Sequence, residues 1–174
     1  MLKTMGAGCI VELSILRRWH FNNIFSINPN KTIMEVHVNY WAVTAATVAS
    51  YIFGAIWYGL IFNKTWVRLT GITDMKPKPV NFILVLISMF VMAYVLSHSL
   101  VFGDAYLKMS GIPAGLEGAF FLWLGYVATV TLVTKLYENK PWGLWILDNA
   151  FWLIAMMIMG VILSVWPGNI VLQQ

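Results

Sequence analysis

Residues 80–101 read VNFILVLISMFVMAYVLSHSLV, a run with no Asp, Glu, Lys or Arg. As a helix rising 1.5 Å per residue it reaches about 33 Å, enough to cross a hydrocarbon core about 30 Å thick. Lipid offers backbone N–H and C=O groups no hydrogen-bond partners, so such a run crosses as a helix unless it joins a closed barrel. Barrel strands alternate apolar and polar residues. Phe82-Ile83-Leu84-Val85-Leu86-Ile87 does not alternate, which leaves the helix.

On either side of this run, three more stretches reach spanning length, near Val36–Phe62, Gly115–Lys135 and Gly143–Trp166. The fold class is therefore all-α: a polytopic membrane protein built as a four-transmembrane-helix bundle over residues 34–174. The connections are short and hold the breakers, Gly71, Pro77 and Pro79 in the first, Gly103, Gly111 and Pro113 in the second, Pro141 in the third. Short connections make sequential helices antiparallel neighbours. Tyr40, Trp41, Trp57, Tyr58, Trp66, Trp142, Trp145 and Trp166 gather near the predicted ends, where amphipathic rings meet the membrane interface.

Composition agrees. Sixty per cent of the 174 residues are hydrophobic and ten per cent charged, against roughly half and a quarter in a soluble domain. The net charge of +4 lies in loops and at helix ends, without the basic stripe that nucleic acid requires. The lipid bilayer is the expected partner and nucleic acid is not. The lone Cys9 excludes an intramolecular disulfide, no Cys/His spacing resembles a zinc site, and no cofactor is implied. Six basic residues, Lys64, Arg68, Lys76, Lys78, Lys135 and Lys140, fall in or beside the first and third loops. The positive-inside rule puts that side in the cytoplasm and both termini outside it.

Residues 1–33 read differently. Met5–Leu16 is too short to span, is broken by Glu12, and lacks a signal peptide's order of basic residues before the apolar core. This N-terminal extension is expected to be disordered or to precede the true start at Met34.

Within the first span, Ala42, Ala46, Ser50 and Gly54 recur every four residues. Small residues let helix backbones approach in lipid, so this stripe is a packing face, either within one chain or in a homo-oligomer. Asp148 and Asn149 stand five to six residues into the fourth span, where an ionisable group needs a polar partner or a wet cleft. With Tyr58, Trp57 and Lys135 from the same end of the bundle they form the candidate ligand or proton site; the alternative is a structural hydrogen bond or ion pair. At the opposite end, His37, His98, Asp104 and Glu117 are ligand types for a divalent metal, but no pair has the spacing that presets two ligands on one helix face. Glu117 is accounted for more simply by a first helical turn. Trp145, Asn149, Trp152, Met156 and Leu163 could line an apolar pocket or simply pack. No catalytic residue is identified, since neither a Gly-x-Ser-x-Gly elbow nor a phosphate-cradling Gly loop occurs.

Val38-Asn39-Tyr40-Trp41-Ala42-Val43, Gly54-Ala55-Ile56-Trp57-Tyr58, Lys64-Thr65-Trp66 and Trp123-Leu124-Gly125-Tyr126 together resemble the uncharacterised membrane family known as domain of unknown function 1761. The resemblance covers about Met34–Trp166. It implies a four-helix protein found mainly in bacteria, hence a multi-pass inner-membrane location, and carries no activity, cofactor or catalytic residue. Three functions stay open: a membrane-embedded interaction or structural protein, which the packing stripe and aromatic belts favour; a small oligomeric transporter or channel with a polar site near Asp148; and a membrane enzyme.

Overall fold

Asn39 begins the first long helix. Its backbone is extended and its Oδ1 accepts hydrogen bonds from the Trp41 and Ala42 N–H groups at 3.1 and 3.2 Å, capping the turn that follows. From this point the computed structural model, which describes residues 33–72, 78–108, 110–166 and 169–173, is almost wholly helical. Helix α1 covers Tyr40–Ile61, α2 Asn63–Thr70, α3 Pro79–Leu107, α4 Gly111–Tyr137 and α5 Trp142–Val165. Two short strands, β1 (Ile33–His37) and β2 (Asn169–Gln173), pair as a two-stranded sheet. Residues 35–171 form one compact unit, which is the unit described below. Ile33 apart, the N-terminal extension lies outside the described residues.

Four helices, α1, α3, α4 and α5, are long and apolar enough to cross a membrane. The bundle is a ring: α1 packs on α3, α3 on α4, α4 on α5, and α5 back on α1. Helix α5 is its inner member, with 44% of its apolar window buried against 11–22% for the other three. The core gathers Ala42, Val43 and Ala46 of α1, Met89, Ala93 and Leu96 of α3, Ala119 of α4, and Phe151, Ala155, Met156, Met159 and Leu163 of α5. Around the outside, Phe82, Ile83, Leu84 and Val85 of α3 stand exposed, as do Phe121, Val130 and Val133 of α4. Acyl chains are as apolar as these side chains, so a membrane protein leaves them outward at no cost.

The expected element boundaries shift in three places. The first span starts at Tyr40, because Val36 and His37 belong to β1 and Asn39 caps the helix after them. Gly103 breaks nothing: α3 runs through it to Leu107 and ends at Lys108, whose left-handed backbone (φ 53°) donates to the Asp104 carbonyl. A single glycine lowers helix stability by only about 1 kcal/mol, too little to end a long helix in lipid, where its backbone bonds have no alternative. Glu117 lies in the second turn of α4, which starts at Gly111, so the favourable field of a first turn does not account for it.

The first connection also contains a helix. Helix α2 carries Lys64 and Arg68 beside Trp66, Val67 and Leu69, the mixture of an interfacial helix. Gly71 ends it with φ 70°, a left-handed position where its N–H reaches the Val67 carbonyl at 2.9 Å and which favours glycine.

Candidate functional site

Two of the spanning helices widen into π-helical turns, α1 at Trp57–Ile61 and α4 at Trp123–Ala128. In the first, the Phe62 N–H reaches the Trp57 carbonyl, five residues back, at 2.9 Å. Each segment opens on Trp and has Gly two positions later, Gly59 and Gly125, and beyond its chain neighbours and its own helix backbone neither glycine has an atom within 4 Å of where a Cβ would stand. An inserted residue rephases the side chains beyond it, which is why such turns recur at functional sites. Here both segments reach the same dipeptide of α5.

Asp148 and Asn149 lie about 9–10 Å along α5 from Trp142, at 1.5 Å per residue. Asp148 is half-buried and turns toward α1, where its Oδ1 accepts the Tyr58 hydroxyl at 2.8 Å. Asn149 is buried and turns toward α4. Its Nδ2 donates to the Trp145 carbonyl at 2.9 Å, which fixes the amide orientation, and its Oδ1 lies 3.1 Å from Thr131 Oγ1. Thr131 has one proton and a closer acceptor, the Val127 carbonyl at 2.7 Å, so the Asn149 oxygen keeps capacity to accept from elsewhere. Trp145 Nε1 donates to Thr131 Oγ1 at 3.2 Å, and Trp123 Nε1 to the Asn149 carbonyl at 3.1 Å.

These groups border an open cleft of about 360 Å³, lined by Asp148, Asn149, Tyr58, Lys135, Lys140, Thr131, Thr134, Trp66, Leu144, Trp145 and Trp152. Lys135 is buried, and its Nζ lies 3.4 Å above the Trp142 ring, a cation–π contact that holds the ammonium without a carboxylate. Lys140, at the mouth, pairs with Glu138. Among the described residues no cation stands within salt-bridge distance of Asp148, and the positive charge that acts on it from farther off is that of Lys140.

The structure thus brings four of the five sequence candidates, Asp148, Asn149, Tyr58 and Lys135, to one cleft. Trp57 does not join them. Adjacent residues on a helix point about 100° apart, and while Tyr58 faces Asp148, Trp57 packs against Phe62, Phe53 and Phe151 with ring centroids 4.4, 5.5 and 6.4 Å away. Trp145 and Trp152 line the cleft, whereas Met156 and Leu163 belong to the core, so that row of α5 residues is divided between two environments. Sequence reading missed Thr131 and Thr134. They are one turn apart on the apolar α4, with Lys135 beside them, and that polar face was the available signal.

At the other end, no three of His37, His98, Asp104 and Glu117 gather as metal ligands would among the described residues. His98 Nδ1 lies 3.0 Å from the Tyr94 carbonyl of its own helix. Of the packing stripe, Ala42, Ala46 and Ser50 are buried, Ser50 Oγ donates to the Ala155 carbonyl at 3.2 Å, and Gly54 faces the Phe151 ring, which an added Cβ would approach to 3.3 Å. A tighter approach was missed: Gly115 of α4 crosses Gly160 of α5 so closely that a Cβ on either would strike the other's carbonyl. Gly115 with Ala119 and Gly160 with Ser164 repeat the four-residue spacing seen in α1.

Four apolar spans packed in a ring, of which α5 is the most buried, define an integral, multi-pass membrane protein. The chain belongs to the family described as Protein of unknown function (DUF1761), whose model matches residues 41–164. That match covers all four spans nearly end to end, together with both π-helical segments and the dipeptide they flank. No curated protein and no solved structure matches the chain.

Proposed function

We propose that the chain acts through the cleft at Asp148, binding a small polar ligand at the cytoplasmic face of a bacterial inner membrane. The observation that carries this reading is a half-buried carboxylate inside a spanning helix, bordering a polar cleft of about 360 Å³, with Lys140 of the same cleft acting on it only from beyond salt-bridge distance among the described residues. A carboxylate retained only for structure would satisfy both of its oxygens against neighbouring helices. Asp148 gives one oxygen to Tyr58 and leaves the rest of its acceptor capacity toward the cleft. This favours a ligand-binding protein over a bundle that only holds partners. The tight Gly115–Gly160 crossing near the far end speaks for a one-sided pocket rather than a continuous channel.

Accessibility tests it. In a Cys9→Ser background, a cysteine at Thr134 should react with a small hydrophilic thiol reagent in the purified protein, while one at Ala155, in the core, should not. Equal protection at both positions would overturn the wet cleft. The orientation is tested on intact cells with cysteines at Ser110 and Glu138 and an impermeant reagent: Ser110 should label and Glu138 should not, and the opposite pattern would put the cleft outside the cytoplasm.

A further inference from the structure

Beside the polar cleft lies a second space. A groove of about 500 Å³ runs between α1 and α3, lined by Tyr51, Gly54, Ala55, Gly59, Phe82 and Val85 among others. Its surface is apolar, and Phe82 and Val85 stand on the exposed flank of α3, the side turned to acyl chains in a bilayer. Tyr58 and Trp152 line both spaces, so the two adjoin at these side chains. From Gly59 back to Tyr51 the groove follows α1 for about 12 Å, from the cleft toward the middle of the span. Gly59, in the π-helical segment, leaves open room at the end nearest the cleft.

The cleft holds both signs of charge: for an anion Lys135, which has no carboxylate partner and lies over the Trp142 ring, with Lys140 and its partner Glu138 at the mouth, and for a cation that donates hydrogen bonds Asp148. We propose that cleft and groove form one site for a zwitterionic phospholipid with a primary amine in its head group. The phosphate lies toward Lys135 and Lys140, the ammonium donates to Asp148, and one acyl chain fills the groove along Gly59, Ala55 and Tyr51. The charge pattern selects the head. A quaternary ammonium has no N–H to give a carboxylate, and a glycerol head offers no positive charge, so the ethanolamine head is preferred to both. The inference rests on the cleft being a ligand site, and adds the chemical class of that ligand.

The test is native mass spectrometry of the full chain released from mixed micelles holding equal amounts of phosphatidylethanolamine, phosphatidylcholine and phosphatidylglycerol with identical chains. The parent should retain the ethanolamine lipid several-fold over the other two. Asp148→Asn should lose the preference for ethanolamine over choline. Gly59→Leu, which fills the groove where, beyond its chain neighbours and its own helix backbone, no atom stands within 4 Å of the new Cβ, should lose retention of that lipid; Ala55→Phe on the same wall repeats the test should the first variant fold poorly. Equal retention of the three head groups by the parent, or full retention by both groove variants, would overturn the proposal. Soluble phosphoethanolamine separates the two levels of the argument. If it raises the melting temperature of the parent and of Gly59→Leu alike while no head group is preferred in the lipid mixture, the polar cleft stands and the lipid assignment falls. If phosphoethanolamine stabilises neither protein and Thr134→Cys is unreactive, the cleft itself falls.

Discussion

The two halves of α5 show opposite ways of placing small and polar residues in a membrane. Beyond Trp152 the helix is closed: Ala155, Met156, Met159 and Leu163 are buried, and Gly160 meets Gly115 backbone to backbone. Before it the helix is open, and Asp148, Trp145 and Leu144 border a cleft. In the closed half, glycine and alanine work by absence, letting carbonyls and Cα atoms touch across α4 and α1. In the open half, bulky indoles and long lysines hold the helices apart while hydrogen bonds to Asp148 and Asn149 maintain the gap. The same helix therefore supplies a fixed seam at one end and an accessible polar surface at the other. Stability should be concentrated in the first and ligand sensitivity in the second.

The strongest way to break this comparison is Gly160→Leu. Its side chain would enter the Gly115 backbone, where nothing flexible can yield, so the loss should reach about 3 kcal/mol, the upper part of the range for overpacking, read as a fall in melting temperature in detergent. A stability equal to the parent's would show that the seam opens freely. Ala46→Leu, at a fully buried position of α1, should cost about 2 kcal/mol, since side chains as well as backbone surround it and can shift. Ile52→Leu, at an exposed position, should stay near the parent.

At the open end the effects should be smaller. Asn149→Ala removes an amide that bonds the Trp145 carbonyl of its own helix and lies against Thr131 of α4; interhelical hydrogen bonds in membranes average about 0.6 kcal/mol with a maximum near 1.7, so a loss of about 1 kcal/mol is expected in chemical or thermal unfolding. Tyr58→Phe deletes only the hydroxyl on Asp148 and should cost about 0.6 kcal/mol, while its ring, 5.0 Å from Phe151, keeps its packing. A Tyr58→Phe loss exceeding that of Gly160→Leu would reverse the assignment of the two halves.

Much of this architecture was legible from the chain alone, for a reason specific to lipid. A run such as residues 80–101 has one solution in hydrocarbon, because every backbone group must pair within its own helix, so all-α class and the four spans follow from run length and polarity. The stripe Ala42, Ala46, Ser50 and Gly54 could be read as a packing face on the same terms. Asp148 marked the polar site because an ionisable group inside a span demands an account. Tertiary structure decided what those residues face. The seam of Gly115 on Gly160 depends on where two helices cross, which periodicity along either helix does not contain. Tyr58 meets Asp148, while its neighbour Trp57 packs on Phe62 and Phe53, because adjacent helical residues point in different directions and only the packing of α1 on α5 decides which of the two reaches the carboxylate. Thr131 and Thr134 became part of the cleft only when α4 packed on α5. The sequence by itself determined which segments cross the membrane, through the cost of unpaired backbone in lipid; the packing of those segments determined which polar side chains share one space, through crossing positions and helix phase.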